Sequence, residues 1–229
     1  MSEQEQAPTV SREGDLIVLD LGAGENRLND AWVEAVEGAL AQAEAAPAPR
    51  ALVTVASGKF WSNGLDLEWM AANQEAVGDF VARVHGVLAG FLAAGVPTVA
   101  AVQGHAFAAG AMFAIAHDQI VMRADRGFFC VPEVDIRIPF TPGMTALLRA
   151  RLSPAVAHEA MTAGRRYGGG DAVAAQIAAA AVAEDEVREA AFERARARAG
   201  TDPGTLATIK ERLYADALAA LRGPQELSI

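Results

Sequence analysis

The chain has 229 residues with 52% hydrophobic and 21% charged residues, and its formal net charge is −10. That length supports one large domain or two small ones around a sizeable core, and the acidic balance counts against nucleic acid or an anionic membrane surface as the main partner. Cys130 is the single cysteine, which excludes an intrachain disulfide and suits a reducing, cytoplasmic compartment.

Residues 1 to 13 are polar without apolar period and predict a frayed leader; Met-Ser-Glu-Gln-Glu-Gln has no secretory character. Leu16 to Leu21 reads as a strand, closed by Gly22-Ala-Gly24. Asn29 to Ala45 carries Trp32, Val33, Val36, Ala39, Leu40 and Ala43 at helical spacing. After the break at Ala46-Pro-Ala-Pro-Arg50, Ala51 to Ala56 is the next strand. A strand, helix, strand order predicts a parallel sheet with crossover helices.

Ser57 to Leu67 reads as a loop, with Asp66 placed to cap the helix that follows. Glu68 to Ala94 is helical, with a break expected between Asn73 and Gly78. No charged residue occurs between Arg83 and Asp118. The passage is long enough to cross a bilayer, but Pro97, Gln103, His105 and five glycines break it up. It parses instead as the end of a helix, a buried strand Thr98 to Val102, a turn, and a buried helix from about Ala108. Gln119 to Arg123 and Phe128 to Val131 are further strands around a turn at Arg126-Gly127, and Pro132-Glu133 ends the second. Helices are expected over Met144 to Leu152, Pro154 to Gly164 and Asp171 to Gln176, and a last strand over Ile177 to Val182. Glu186 to Ala199 and Pro203 to Leu221 are amphipathic and charge-rich.

Three places offer chemistry. Ser62-Asn-Gly-Leu-Asp66 is a glycine loop opening into a helix, and Ala108-Ala-Gly-Ala111 repeats that arrangement at the start of the buried helix. Amides at helix N-termini lack intrahelical acceptors, so two of them brought together make an oxyanion hole; each pattern alone is also ordinary turn and cap chemistry. The third is Glu133, which reads either as a loop carboxylate in a salt bridge or as a partly buried general base. Asp135 reads as a solvated or structural partner. His85, His105, His117 and His158 show no metal spacing. Arg165 and Arg166 are surface cations within reach of a phosphate in the alternative reading, and Ser62 lacks the context of a serine nucleophile.

Together these segments carry a resemblance. Gly58-Lys-Phe-Trp-Ser-Asn-Gly-Leu-Asp-Leu67, Ala101-Val-Gln-Gly-His-Ala-Phe-Ala-Ala-Gly-Ala-Met112 and Pro132-Glu-Val-Asp-Ile136 with Ile138-Pro139 resemble, in order and spacing, the enoyl-CoA hydratase/isomerase (crotonase) superfamily, and within it the enoyl-CoA delta isomerases. The resemblance runs from Leu16 to about Leu221. It implies an α/β fold: a crotonase-like ββα spiral core over residues 14–185, with a C-terminal helical trimerisation region over 186–229. It also implies a homotrimer or dimer of trimers, an acyl-CoA substrate, and no cofactor beyond that thioester.

By position, the resemblance implies that the Leu65 and Ala109 amides hold the thioester oxygen and that Glu133 moves the proton. Lys59, Phe60 and Trp61 fall on the CoA side, Phe107, Met112, Phe140 and Trp69 on the acyl side, and Asn63 is a further substrate-binding position. Met112 stands where hydratases have a first glutamate. A thioether cannot relay a proton, which favours a one-carboxylate isomerase over a hydratase. Arg137 and Gln176 stand where glycine is usual. A hydratase-like lyase and a non-catalytic CoA-binding or assembly subunit are the competing expectations, the second because Arg137 follows the Glu133 loop directly.

Overall fold

The computed structural model describes residues 7–224. In chain order the first elements are β1 (Thr9–Glu13), β2 (Leu16–Asp20), α1 (Asp30–Ala45), β3 (Ala51–Val55), β4 (Phe60–Ser62), α2 (Leu67–Ala72) and α3 (Val77–Ala93). There follow β5 (Thr98–Val102), β6 (His105–Phe107), α4 (Ala109–Ala116), β7 (Gln119–Arg123), β8 (Phe129–Cys130) and α5 (Glu133–Ile136). The rest is α6 (Pro142–Arg151), α7 (Pro154–Ala163), α8 (Gly169–Ala174), β9 (Ala180–Val182), α9 (Val187–Arg196), α10 (Pro203–Leu213) and α11 (Ala215–Arg222).

Three consecutive strand pairs, β3/β4, β5/β6 and β7/β8, each place their first strand in a six-stranded sheet and their second in a three-stranded one. The large sheet runs β1-β2-β3-β5-β7-β9 and the small one β4-β6-β8. Every pairing is parallel except β1 with β2. This is the expected ββα spiral.

The strand sequences explain why both faces of the large sheet are covered. Along β2, Leu16 and Val18 point to one cluster and Ile17 and Leu19 to the other. Ala51 and Val53 alternate with Leu52, and Val99 and Ala101 with Ala100 and Val102, in the same way. Such period-two runs, apolar at every position, suit a parallel sheet buried on both sides. Val187, Ala191, Phe192 and Ala195 of α9 close the outer face. The inner face packs on α1, α3 and α4, with Phe113 as hub: its ring meets Trp32 edge-on at 5.0 Å, stacks on Trp61 at 5.4 Å and meets Phe91 at 4.8 Å.

Capping follows the sequence. Asn29 accepts from the Trp32 amide at 3.0 Å and Asp66 from the Trp69 amide at 2.9 Å, each satisfying an orphan donor of a first helical turn. The expected break after α2 is present as a single 3-10 turn, Gln74–Ala76. That turn and α3 together make one stretch, Gln74–Ala93, long and apolar enough to cross a membrane, but just over half of its most apolar window is buried inside the fold. The C-terminal helices are tied to the core by Lys210, whose ammonium donates to the Asp118 carboxylate at 2.7 Å and to the Ala94 carbonyl at 3.0 Å.

Several expectations need correction. Of the leader over residues 1–13, residues 1–6 lie outside the described residues, while Thr9–Glu13 is an antiparallel edge strand that pairs with β2 through the turn at Gly14-Asp15. Its polar, mostly exposed side chains hide it from a search for apolar period; the open backbone of β2 recruits it. Pro203 to Leu221 is not one helix but two, broken at Tyr214. α8 begins at Gly169, so Asp171 lies within it rather than at its cap. The strand expected over Ile177 to Val182 is confined to Ala180–Val182. Phe60–Ser62 and His105–Phe107, read as loop and turn, are short strands, and Glu133 opens a one-turn helix. The last five residues of the C-terminal region, 225–229, lie outside the described residues.

Candidate active site

The small parallel sheet organises the site. Leu65 lies three residues beyond β4, Ala109 two beyond β6 and Glu133 three beyond β8, so each strand delivers one group at its C-terminal end. All three line one cavity of about 80 Å³, together with Asn63, Ile138 and Met144.

Leu65 is oriented by a bridge to Leu28. The Leu28 amide donates to the Gly64 carbonyl at 2.8 Å and the Asp66 amide donates to the Leu28 carbonyl at 2.9 Å. In such a parallel bridge the flanking peptides face the partner, which turns the Leu65 N–H to the opposite side. Upstream, the Asn26 amide group donates to the carbonyls of Phe60 and Trp61. Ser62 is fully buried, and its hydroxyl donates to the Asn26 carbonyl at 2.8 Å. That bond fixes the strand and leaves the serine no role as a nucleophile.

The second amide belongs to a buried helix start. The Ala108 amide donates to the Cys130 carbonyl at 3.0 Å, and the Met112 amide returns to the Ala108 carbonyl at 3.1 Å, so the helical ladder begins there. The amides of Ala109, Gly110 and Ala111 lie in its first turn, where no carbonyl one turn back is available, and no side chain caps them. Ala108 takes φ 50°, the left-handed region for a residue with a β-carbon, where it turns the chain from β6 into α4. Gly110 is required by contact: a β-carbon there would lie 2.6 Å from the Ser62 carbonyl oxygen.

Glu133 is 6% exposed, and its Oε2 is buried without a hydrogen-bond partner. Burial pushes its carboxyl from the usual range up to about 7, opposed in part by a hydrogen bond from its own backbone amide. The salt-bridge alternative does not hold, since no cation pairs with it among the described residues. Of the residues lining the small cavity, it is the only one that titrates. The arrangement therefore places a carboxyl raised to about 7 and the Leu65 and Ala109 backbone at the same void.

On the other side of Glu133 an open groove of about 420 Å³ runs past Val134, Arg137, Ile138, Phe140 and Met161. Arg137 ends α5 in the left-handed conformation, φ 61° and ψ 31°, its amide donating back to the Glu133 carbonyl. Gln176 does the same at φ 60°. Both residues thus keep the backbone path that glycine takes more easily.

The remaining residues singled out from the sequence fall in three groups. Asn63 lines the cavity and donates to Glu25 at 3.0 Å, and Phe140 lines the groove. Lys59, Phe60 and Phe107 form an aromatic, cationic patch around His105: Lys59 Nζ lies 4.9 Å from the Phe60 ring centre, and Arg166 lies over Phe107 at 5.9 Å. Burial, followed by Lys59, Arg126 and Arg166, holds His105 below the usual histidine range. Arg165 is instead engaged by Glu159 at 2.9 Å.

Trp61 and Met112 are fully buried in the core, and Trp69 packs on Phe80 at 4.7 Å. None of these three side chains reaches the cavity or the groove. Met144 and Leu67, which do reach the cavity, were not singled out. Met144 sits three residues past the Thr141 cap of α6, and a capping signal followed by an apolar residue so soon after Glu133 was the available clue.

The enoyl-CoA hydratase/isomerase family model matches residues 15–227. The chain is 37% identical to enoyl-CoA delta isomerase 3 of Arabidopsis thaliana over 179 residues, covering 74% of each protein. It is 32% identical to carnitinyl-CoA dehydratase of Proteus mirabilis over 179 residues, covering 78% of this chain and 65% of that one. Among solved structures, an enoyl-CoA isomerase of Mycobacterium tuberculosis in its apo form superposes with a TM-score of 0.86 at 26% identity, over 94% of each chain.

Proposed function

Since this chain belongs to the enoyl-CoA hydratase/isomerase family, we propose that it is an enzyme that shifts the double bond of a 3-enoyl-CoA to the 2-trans position. The ionised Glu133 removes a proton from C2, and the electron pair moves through the conjugated system to the thioester oxygen. The Leu65 and Ala109 amides donate to that oxygen as charge develops on it, each contributing about 3 kcal/mol in sites of this kind. Glu133, now protonated, returns the proton at C4. The observation that carries this reading is one buried, unpaired carboxylate sharing a small apolar cavity with two amides and no second acid or base.

Water addition normally calls on two carboxylates, one to activate water and one to deliver the proton. The similarity to a carnitinyl-CoA dehydratase keeps a hydratase reading in view. Here Met112 is sealed in the core, which counts against a second group.

The CoA moiety is assigned to the patch of Lys59, Phe60, His105 and Arg166, joined by Phe107, which was expected on the acyl side but packs against His105 and Arg166. The rings of this patch suit a base and its cations suit phosphate, in a protein that is otherwise acidic. Assembly as a homotrimer or a dimer of trimers, and a cytoplasmic location, belong to the same reading. Exposed Ile209 and Leu213 on α10 support the first, and the lone buried thiol of Cys130 the second.

The test follows the conjugated enoyl thioester by absorbance. Wild-type protein is expected to convert a 3-enoyl-CoA and leave crotonyl-CoA unhydrated, and Glu133→Gln to lose at least about 10³-fold in kcat. Undiminished turnover in that variant sinks the mechanism, and hydration of crotonyl-CoA moves the assignment to a hydratase.

A further inference from the structure

We propose that the groove beyond Glu133 takes an acyl chain ending in a carboxylate, with the Arg137 guanidinium as its counter-ion. This rests on the isomerase reading for the placement of the reacting carbons. Glu133 lines both the small cavity and the groove, so a chain leaving the reaction centre on that side enters the groove. At about 420 Å³ the groove is within the range that holds a small organic ligand. Its wall is aliphatic and aromatic at Val134, Ile138, Pro139, Phe140 and Met161, and Arg137 is its only cation.

Two observations bear on this arginine. Arg123 and Arg165 pair with carboxylates, and Arg151 donates to three backbone carbonyls and to Tyr214. Arg137 is exposed and forms no side-chain hydrogen bond or ion pair among the described residues; it shares this with Arg126, Arg149, Arg198 and Arg212, but it alone of these lines the groove. It is also held in the left-handed region at φ 61°, where glycine fits with less strain. A long cationic side chain kept there, beside the one catalytic carboxylate and without a protein partner, points to a ligand that supplies the missing anion.

The experiment compares two medium-chain 3-enoyl-CoA thioesters of matched length, one ending in a methyl group and one in a carboxylate. Wild-type protein is expected to favour the carboxylate-ended substrate by roughly fivefold in kcat/KM, the scale of a partly exposed ion pair. That preference is expected to shrink in high salt, vanish in Arg137→Gly, and reverse in Arg137→Glu. Glycine suits the left-handed backbone, so Arg137→Gly is the variant that tests the side chain without disturbing the fold. Equal use of the two substrates by wild type, or a preference that survives in Arg137→Gly, overturns the proposal. Binding of the corresponding saturated thioesters, measured by calorimetry, separates this inference from the isomerase reading. If neither 3-enoyl substrate reacts, the isomerase reading fails, and the binding ratio of the saturated pair still decides the role of Arg137.

Discussion

Gly64 packs so closely on Ala108 that a β-carbon at position 64 would stand 2.9 Å from the Ala108 methyl and 3.3 Å from the Ala109 nitrogen. This contact brings the loop after β4 against the start of α4, and so sets the two cavity-facing amides side by side. Gly64 also holds φ 86°, which a side chain resists.

Gly64→Ala is therefore expected to spread the two amides apart and strain the loop. A misplacement on the ångström scale costs on the order of 10²-fold in kcat/KM, and overpacking of this kind destabilises by about 1–3 kcal/mol. Steady-state kinetics and urea denaturation read the two effects separately. Full activity in this variant would show that the two amides do not act together.

If Glu133 is the base as proposed, its burial sets the pH dependence of turnover. The base must be ionised to accept the C2 proton, and its carboxyl titrates at about 7. The expected kcat/KM thus climbs about tenfold per pH unit below neutrality and levels off above it. An ordinary surface glutamate would already be on its plateau near pH 6. A profile flat from about pH 5 to 8 removes Glu133 from the role of base.

Stability carries the same group with the opposite sign. Folding raises this carboxyl from 4.5 to about 7. Between those values the native state keeps a proton that the unfolded chain has lost, so stability falls as pH rises and the loss is complete above about 7. Glu133→Gln mimics the neutral form. It is expected to exceed wild type in stability by ~3 kcal/mol above about pH 8 and to match it near pH 4. Denaturation curves at those two pH values check this; equal stability at both would mean that the carboxylate is solvated after all.

The sequence made the large sheet legible except for its edge strand β1, and the small sheet only at β8, for a physical reason. β2, β3 and β5 are runs of five residues with four apolar positions each, and β7 keeps Ile120, Val121 and Met122 between Gln119 and Arg123, as a doubly covered parallel sheet requires. β4 and β6 are three residues long and contain Ser62 and His105, too short for any period to show, whereas β8 lies within the apolar run Phe128 to Val131 that reads as a strand. Leu65, Ala109 and Glu133 were readable as motif positions. Their convergence on one cavity depends on contacts such as Gly64 with Ala108 and Gly110 with Ser62, which no local pattern displays. Met112 illustrates the converse. Its identity was readable as the lack of a second carboxylate, but its side chain turns into the core, where Trp61 and Phe113 also lie. The break at Tyr214 between α10 and α11 has neither glycine nor proline to announce it.

Leu65, Ala109 and Glu133, the three groups proposed to act together, hang from three different turns of the spiral, each at the end of its own short strand. Such an arrangement separates what must stay from what can change. The two amides belong to the main chain and survive any substitution that keeps the backbone path, whereas the proposed proton carrier is a single side chain on a four-residue helix. On the proposed mechanism, a single substitution after β8 would exchange the chemistry while leaving the backbone donors in place.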